Sequence, residues 1–349
     1  MNRIGIVGAG AAAAGAAYIL STQQPGAAIT VLEKSRGLCG RAATRRKHGC
    51  VYEYGANYLK ADDNRVTDLV TNTLETDGLV NIDEPIWTFD SEGTVEPGRE
   101  SDDHKWSYEA GLTQLAKRLF ARTEATIHQE THVEAIRRDG EIWRVEDTDG
   151  NEWGPFDVLL LNPPAPQTAA LLERADWASE HRRPLQDAVE NVPYRTVITA
   201  VAHYPFKLDV PYYALVNTDK AHDIGWVARE ECKPGHVPDG ESLLVIQAGN
   251  EWSKAQYDAP RENNLRTLIE GTASLLEDER LTGPDWTDYQ GWRYALPEDG
   301  VSRAPLEAAE ADGLYLLGDW VAGEGRLHAA LANGLEVGER VASDLESSA

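Results

Sequence analysis

Cysteines and long apolar stretches are scarce in this sequence. Three cysteines, Cys39, Cys50 and Cys232, occur in 349 residues and show no C-x-x-C spacing. This pattern argues against a disulfide scaffold and a structural zinc site, so we predict no metal site and expect a reducing, cytoplasmic location. No stretch approaches the roughly 18 consecutive apolar residues of a membrane-spanning helix, so we expect no membrane partner.

Basic residues are also few relative to acidic ones. Asp and Glu number 58 against 33 Lys and Arg, which leaves a formal net charge of -25. Such a surface repels nucleic acid and anionic lipid, so we expect no nucleic-acid partner. Only nine lysines, one methionine and four phenylalanines are present. This composition indicates adaptation to high salt, where ions screen the self-repulsion; an ordinary acidic cytosolic protein is the alternative.

The first 33 residues have the layout of a dinucleotide-binding site. An apolar strand over 3–7 leads into a glycine-rich turn, a small-residue helix and a second strand over 28–32. Gly8 permits a tight turn, and Gly10 lets backbone N–H groups approach a pyrophosphate at the positive end of the helix. Glu33 is at the right distance along the chain to accept hydrogen bonds from a ribose. A cleavable secretory signal and a purely structural glycine turn are the alternatives.

The rest of the chain is long enough for a second domain. Helices are expected at 64–77 and 261–278, and a hairpin turn at 91–93. Three strands are expected between 131 and 161 around two Asp-Gly turns, the last of them buried on both faces. Residues 166–300 otherwise indicate mostly antiparallel strands with one clear helix. The expected strands there are 197–202, 212–216, 225–229, 243–248 and 286–296.

A segment near residue 318 favours a flavin enzyme over a nicotinamide dehydrogenase. Gly318 and Asp319 end a strand, and a helix begins near His328. Asp319 can accept hydrogen bonds from the hydroxyls of an extended cofactor. The N-terminal amides of the following helix can stabilise negative charge on a reduced flavin. A surface acid beside a structural strand is the alternative.

Taken in order, these motifs resemble the renalase-like branch of the flavin-containing amine oxidase superfamily over most of the chain. The segments that carry the resemblance are Gly8–Gly10 with Glu33, Cys39–Thr44, Tyr54–Tyr58, Gly111–Leu112, Trp292–Ala295 and Gly318–Leu327. Cys39 replaces the first glycine of the family's Gly-Gly-Arg motif, and His328 replaces an acid common in bacterial relatives. Because no cysteine follows Cys232, the resemblance implies FAD held without a covalent bond.

The resemblance implies an α/β fold in which a Rossmann-like FAD-binding domain is interwoven with a mostly antiparallel substrate domain. The FAD-binding domain is expected to comprise 1–75, 105–165 and 302–349, and the substrate domain 76–104 and 166–301. The predicted cofactor-binding residues are Gly8, Gly10, Ala11, Ala12, Glu33, Lys34, Gly40, Arg41, Ala56, Asn57, Tyr58, Val133, Gly318, Asp319, Arg326, Leu327 and Ala330.

Catalytic residues are not evident, because no Ser/His/Asp set or carboxylate pair stands out. The pocket candidates are Tyr58, Trp292, Arg293 and Tyr294. On an extended strand Trp292 and Tyr294 share one face and Arg293 takes the other. The aromatic pair could stack on a planar substrate, or Arg293 could hold an anionic group. Core packing of the aromatics is a third possibility.

The activity that the resemblance implies is hydride transfer from a small molecule to the flavin, with oxygen receiving the electrons. The substrate could be an aberrant dihydronicotinamide isomer. Because flavin carries this chemistry, no side chain need act as a base. Oxidation of an amine or a polyene is the alternative within the superfamily. A non-catalytic flavin-binding protein and a nicotinamide dehydrogenase are alternatives from other classes.

Overall fold

The computed structural model describes residues 1–99 and 103–347. Its strands, in chain order, are β1 Arg3–Val7, β2 Ala28–Leu32, β3 Thr44–Lys47, β4 Cys50–Glu53, β5 Leu59–Lys60, β6 Leu79–Asn81, β7 Ile86–Phe89, β8 Val95–Glu96, β9 Lys105–Tyr108, β10 Thr126–His128, β11 Val133–Asp139, β12 Ile142–Asp147, β13 Glu152–Phe156, β14 Val158–Leu161, β15 Tyr194–Tyr204, β16 Ala214–Asn217, β17 Ile224–Arg229, β18 Ser242–Ala248, β19 Trp286–Pro297 and β20 Leu314–Leu316.

The helices lie between and around these strands. They are α1 Ala11–Gln23, α2 Asn64–Asp68, α3 Thr113–Phe120, α4 Ala165–Arg174, α5 Arg182–Glu190, α6 Asn250–Gln256, α7 Arg261–Leu275, α8 Arg303–Glu310, α9 Asp319–Ala322 and α10 Leu327–Ser347, with a π-helical turn at Leu69–Thr73 and 3-10 turns at Gly40–Ala42, Glu230–Cys232 and Glu279–Thr282.

The first sheet is parallel and has the order β10-β2-β1-β14-β20. Its central strand pair is apolar and buried, as the sequence of β14 predicts for a strand covered on both faces. The carboxyl ends of β1, β14 and β20 meet at one edge, and Gly8, Asn162 and Gly318 follow within two residues of them. Ligands of open α/β sheets bind at such an edge.

Helix α1 is built to let another helix approach closely. Its alanines are buried, and a Cβ added to Gly334 of α10 would lie 2.0 Å from the carbonyl oxygen of Ala12. Only glycine fits there, so α10 packs directly on the α1 backbone. The alanine-rich stretch that could have been a secretory signal is therefore part of the domain core.

The second sheet has the order β19-β15-β18-β17-β16-β7-β8 and is antiparallel except where β16 pairs with β7. One face packs on α7 through Leu268, Ile269 and their neighbours. The other face packs against β4 through Cys50 and Tyr52. This arrangement confirms the predicted fold class, a Rossmann-like α/β domain with a mostly antiparallel second sheet.

Several element predictions need correction. Residues 131–161 form four strands, because β13 lies between the two Asp-Gly hairpins and the buried strand β14. The helix expected at 64–77 ends in the π-helical turn at Thr73. The proline-rich segment after Asn162 contains α4 and α5, which were missed. They pack in one core with Val7 and Leu161, so this segment lies on the dinucleotide-binding side.

None of the helices described within 1–99 and 103–347 is both long and apolar enough to cross a bilayer.

Candidate cofactor and substrate site

The glycine-rich turn presents the open N-terminus of α1. Gly8 has φ +90°, a left-handed conformation that glycine adopts without strain. Gly10 precedes the helix in an extended conformation, and a Cβ there would lie 2.6 Å from Asn162 Oδ1. The first helical residues, Ala11 and Ala12, carry small side chains that leave the turn uncovered. This cradle fits a pyrophosphate, which is stabilised by backbone N–H groups at a helix N-terminus.

Glu33 lies beside this turn, at the end of β2. Its carboxylate accepts hydrogen bonds from Ala9 N and Ser35 N, both at 2.7 Å, and the residue is buried. A carboxylate oxygen accepts more than one hydrogen bond, so Glu33 can also receive ribose hydroxyls. The neighbouring Lys34 is exposed and its Nζ lies 3.5 Å from Gln167 Oε1.

The second motif is held against the first by backbone hydrogen bonds. Cys39 N donates to Ala9 O at 2.9 Å, which places Gly40 next to Gly10. Arg41 O in turn accepts Ala56 N at 2.9 Å. A Cβ on the intervening Gly55 would lie 2.0 Å from that same oxygen. Three segments predicted separately as cofactor-binding thus form one continuous surface.

The Arg41 side chain reaches the C-terminal motif. Its Nη1 and Nη2 donate to the two carboxylate oxygens of Asp319 at 2.8 and 2.7 Å, and Nη1 also donates to Ala295 O at 3.0 Å. Burial disfavours the charged guanidinium, but the charge and hydrogen bonds of Asp319 outweigh it and raise the pKa of Arg41. Gly318 N donates to Asn333 Oδ1 at 2.8 Å, which fixes the start of this motif on α10.

Asn162 connects the strand ends, and sequence reasoning missed it. Its Oδ1 accepts Gly10 N at 3.1 Å and its Nδ2 donates to Leu317 O at 3.1 Å. It follows the buried strand β14 directly, so its position at the carboxyl end of a parallel strand was the signal that could have found it.

The other predicted cofactor residues lie around this surface. Val133 is buried at the start of β11, and Thr131 N just before it donates to Glu33 O at 2.9 Å. Arg326 is exposed, whereas Leu327 and Ala330 form the first turn of α10. Val133 is thus on the Glu33 side of the site, and the first turn of α10 is on the Asp319 side.

The aromatic and basic residues of β19 occupy opposite faces. Trp292 stacks on Tyr54 with ring centroids 5.4 Å apart, and its Nε1 donates to Tyr54 O at 2.8 Å. Tyr294 meets Tyr194 edge to face at 5.8 Å. Arg293 is exposed and pairs with Asp258 at 3.5 Å. Trp292 therefore faces the turn at Gly55, whereas Tyr294 packs on Tyr194 and Arg293 lies on the exposed face.

A row of neutral polar side chains crosses the second sheet below this turn. Gln290, Thr199, Gln247 and Trp226 are directly opposite one another on β19, β15, β18 and β17, so they share one face. Gln247 Nε2 donates to Gly55 O at 2.7 Å. We call these four residues the polar row.

Four buried polar atoms in or near the polar row have no hydrogen-bond partner among the described residues. They are Thr199 Oγ1, Trp226 Nε1, Asn57 Oδ1 and the hydroxyl of Tyr213, whose ring contacts Trp226. Asn57 uses its Nδ2 to donate to Gly55 O at 3.1 Å. Buried polar atoms are rarely left unsatisfied, and a ligand is one way of satisfying them.

Aromatic rings lie close to one another beside the polar row. Tyr58 lies 6.3 Å from Tyr213 and 6.4 Å from Trp226, measured between ring centroids. Burial raises the pKa of the Tyr58 hydroxyl, so this group stays neutral. The turn at Tyr54–Tyr58 and the second sheet thus enclose an aromatic environment, with Arg45 3.9 Å from the centre of the Tyr54 ring and Lys233 5.8 Å from the centre of the Tyr213 ring.

Three groups within the described residues have donor atoms suited to a metal: Cys50, His203 and Glu241; Asp62, Glu324 and His328; and, fully buried, Glu53, Glu230 and His236. The ammonium of Lys233 lies within the fully buried group, 2.6 Å from Glu53 and 2.8 Å from Glu230. A cation is therefore already present as a side chain.

Comparison with known proteins agrees with this geometry. Residues 6–73 match the NAD(P)-binding Rossmann-like domain family, and residues 99–342 match the flavin containing amine oxidoreductase family. A structure described provisionally as a protoporphyrinogen oxidase from Exiguobacterium sp. 255-15 is 18% identical, with 99% of each chain covered and a TM-score of 0.81.

Two further solved structures are similar. Putrescine oxidase bound to putrescine is 14% identical with a TM-score of 0.73, and 99% of each chain is covered. Cyclohexylamine oxidase from Brevibacterium oxydans IH-35A is 13% identical with a TM-score of 0.73, again with 99% of each chain covered. At these identities the likeness shows a shared fold.

Proposed function

The chain belongs to the flavin containing amine oxidoreductase family and is an FAD-dependent oxidoreductase, and we propose that it is a renalase-like member that oxidises a dihydronicotinamide isomer. The observation that carries this substrate class is the polar row, which consists of amide, hydroxyl and indole groups without a charge. A flat ring with a carboxamide matches such groups by hydrogen bonding and by stacking.

We propose that FAD is held without a covalent bond along the surface joined by the three motifs. The turn at Gly8 and Gly10 would take the pyrophosphate, and Glu33 the adenosine ribose. Arg41 and Asp319 would contact the central part of the cofactor, and the first turn of α10 its ring. FAD held by these residues would supply the redox chemistry, namely hydride removal from a substrate carbon with oxygen as the final electron acceptor.

The chain itself would bind and orient the substrate. Trp292, which contacts Tyr54 at the start of the turn, and Tyr58, at its end, would offer ring faces, and Gln247 holds the turn through its hydrogen bond to Gly55 O. The buried atoms of Thr199 and Trp226 that lack partners would receive the polar groups of the substrate. Orientation of the reacting carbon is the main contribution that a protein makes when the cofactor supplies the chemistry.

Oxidation of an amine is the second candidate, and a group of three aromatic side chains favours it. Tyr58, Tyr213 and Trp226 approach one another closely enough to present aromatic faces to a cation. Polyene oxidation would use the same apolar faces. A flavin-binding protein without turnover is the alternative from another class.

Peroxide release in air distinguishes these candidates. FAD-loaded protein would be mixed separately with dihydronicotinamide isomers, ordinary NADH, putrescine and cyclohexylamine. We expect peroxide with the isomers. Peroxide with the amines alone would replace the proposal by the second candidate, and no peroxide with any compound would favour the non-catalytic alternative.

A matched pair of variants tests the polar row. Thr199→Val removes a hydroxyl that has no partner among the described residues, so folding should be little affected. Thr272→Val is the control, because its buried hydroxyl donates to Leu268 O at 2.7 Å within α7, on the opposite side of the sheet. We expect KM for the isomer to rise in Thr199→Val and to stay unchanged in Thr272→Val.

A reducing cytoplasm and high salt are the environment that we propose. The three cysteines are free and buried. The formal net charge of -25 favours a medium in which that charge is screened.

A further inference from the structure

An ionic cluster is buried between the dinucleotide-binding side and the second sheet. It consists of Glu53, Glu230, Lys233 and His236, whose side chains are all 0% exposed, and we call it the Lys233 cluster. Lys233 Nζ lies 2.6 Å from Glu53 Oε2 and 2.8 Å from Glu230 Oε1. His236 Nδ1 lies 2.8 Å from Glu230 Oε2.

The hydrogen bonds of His236 define the charge of the cluster. Its Nδ1 faces the Glu230 carboxylate, and its Nε2 lies 2.9 Å from Tyr108 O, a carbonyl oxygen that can only accept. Both ring nitrogens therefore face acceptors, and a neutral imidazole has one N–H. An extra proton must be held within the His236–Glu230 pair. The negative charges of the two carboxylates are balanced by the positive charges of the Lys233 ammonium and of that extra proton, so the buried cluster has no net charge.

Glu53 connects the cluster to the cofactor motifs. It is the last residue of β4, directly before the turn at Tyr54–Tyr58. While Oε2 accepts Lys233, Oε1 accepts Leu112 N at 2.9 Å and Thr44 Oγ1 at 3.3 Å. Glu53 thus connects the turn to two other segments that carry the family resemblance, Cys39–Thr44 and Gly111–Leu112.

Lys233 also lies near the aromatic ring of Tyr213. Its Nζ lies 5.8 Å from the centre of the Tyr213 ring, and that ring meets Tyr58 edge to face. The Lys233 ammonium therefore contacts Glu53, in the strand before the turn, and lies near the Tyr213 ring, which contacts Tyr58 at the end of the turn.

From these contacts we propose that Lys233 is a positioning residue for the oxidation, acting through Glu53 and Tyr213 on the turn at Tyr54–Tyr58. The proposal rests on the proposed function, because the turn must lie between flavin and substrate. Lys233 itself touches neither. It holds the turn against the second sheet, so that Asn57 and Tyr58 keep one geometry.

The test compares Lys233→Met with Glu231→Gln. Glu231, in the 3-10 turn after β17, forms the adjacent buried ion pair with Arg229 at 3.0 Å and accepts Leu243 N of β18, so both of these contacts are made to the second sheet. Both variants remove a buried charge, but only Lys233→Met should move the turn. We expect kcat to fall by about tenfold or more in Lys233→Met. In Glu231→Gln we expect kcat within about twofold of wild type.

A second variant keeps the cluster neutral if Lys233→Met does not fold. Glu53→Gln/Lys233→Met removes one charge of each sign and leaves the Glu230–His236 pair intact. We expect this double variant to fold and bind FAD, with lowered kcat and a changed visible circular dichroism spectrum of the bound flavin. Unchanged kcat and spectrum in the folded double variant would overturn the positioning role.

The spectrum separates this proposal from the proposed function. If no substrate reduces the wild-type flavin, the proposed function fails, whereas the dichroism of the variants still reports the turn. Equal loss of kcat in Lys233→Met and Glu231→Gln would show a general loss of stability instead and would also overturn the proposal.

Discussion

Arg41 and Asp319 form a two-point ion pair although 278 positions separate them in the chain. Asp319 is nearly enclosed, with a side-chain exposure of 7%, and Arg41 is 27% exposed. The pair joins the loop after β2 to the segment that follows β20, at the middle of the proposed FAD surface. It explains how distant motifs can serve one cofactor.

Arg41→Met leaves the Asp319 carboxylate buried without its cation. We expect this variant to bind FAD more than tenfold more weakly, and its free energy of unfolding to fall by about 2 kcal/mol. Fluorescence titration with FAD and urea unfolding measure the two effects. Arg65→Met is the control, since Arg65 pairs with Glu339 on the surface. FAD affinity equal to wild type in Arg41→Met would contradict the proposed role.

Gly55→Ala is expected to disrupt the site, because the new Cβ would lie 2.0 Å from Arg41 O and displace the turn. We expect unfolding at lower urea concentration and loss of bound flavin during purification. Gly37→Ala is the matched control, since a Cβ added there would have no atom of the described residues within 4 Å. If both variants retain flavin equally, the tight packing at Gly55 does not support the cofactor surface.

Trp292→Phe should retain ring stacking on Tyr54 and lose the hydrogen bond to Tyr54 O. The free energy of unfolding should fall by about 1–2 kcal/mol, since a carbonyl loses its donor in a half-buried place. We also expect KM for the substrate to rise. Arg293→Ala, on the exposed face, should change neither quantity; a larger effect on KM from Arg293→Ala would mean that the basic face binds substrate.

Stability should depend on pH through His236. Burial disfavours its charged form, but the hydrogen bond to Glu230 and the nearby carboxylates outweigh it and raise its pKa above 6.5. The stabilisation is then complete below the unfolded pKa and disappears as pH rises through the folded pKa.

We therefore expect the difference in unfolding free energy between wild type and His236→Gln to shrink from about pH 6 to about pH 9. Urea unfolding across this range measures it, and His104→Gln, an exposed histidine, is the control. A difference that grows with pH would show that His236 is neutral in the folded protein.

Salt should stabilise the protein. At a net charge of -25 the folded state repels itself, and screening shortens from about 10 Å at 0.1 M to about 3 Å at 1 M salt. We expect Tm to rise between low and molar KCl, as followed by circular dichroism. A Tm that does not rise would favour the ordinary acidic cytosolic alternative.

The sequence predicted local motifs well and buried charges poorly. The positions of Gly8, Gly10 and Glu33 around β1, α1 and β2 could be predicted because a glycine turn between strand and helix is a local pattern with a physical reason. Lys233 could not, because Lys233 and its neighbours Pro234 and Gly235 are typical of an exposed loop, yet this lysine is fully enclosed. Lys233 is buried because it pairs with residues distant in the chain, such as Glu53, and a local sequence pattern cannot predict such pairs.

Helices α4 and α5 were missed for a related reason. Prolines at 163, 164 and 166 indicate a loop, but they lie before and within the first turn of α4, where a proline is tolerated. The resemblance, rather than spacing, connected Arg41 with Asp319. Their direct contact was visible only in three dimensions.

The central claim is that this chain holds FAD without a covalent bond and that a dihydronicotinamide isomer reduces it. Absorbance at about 450 nm, recorded without oxygen before and after addition of one equivalent of isomer, tests it most directly. The account predicts a yellow protein that loses this absorbance, regains it in air, and releases its flavin on acid precipitation. A flavin that stays oxidised with every isomer, or one that remains attached to the precipitate, would contradict it.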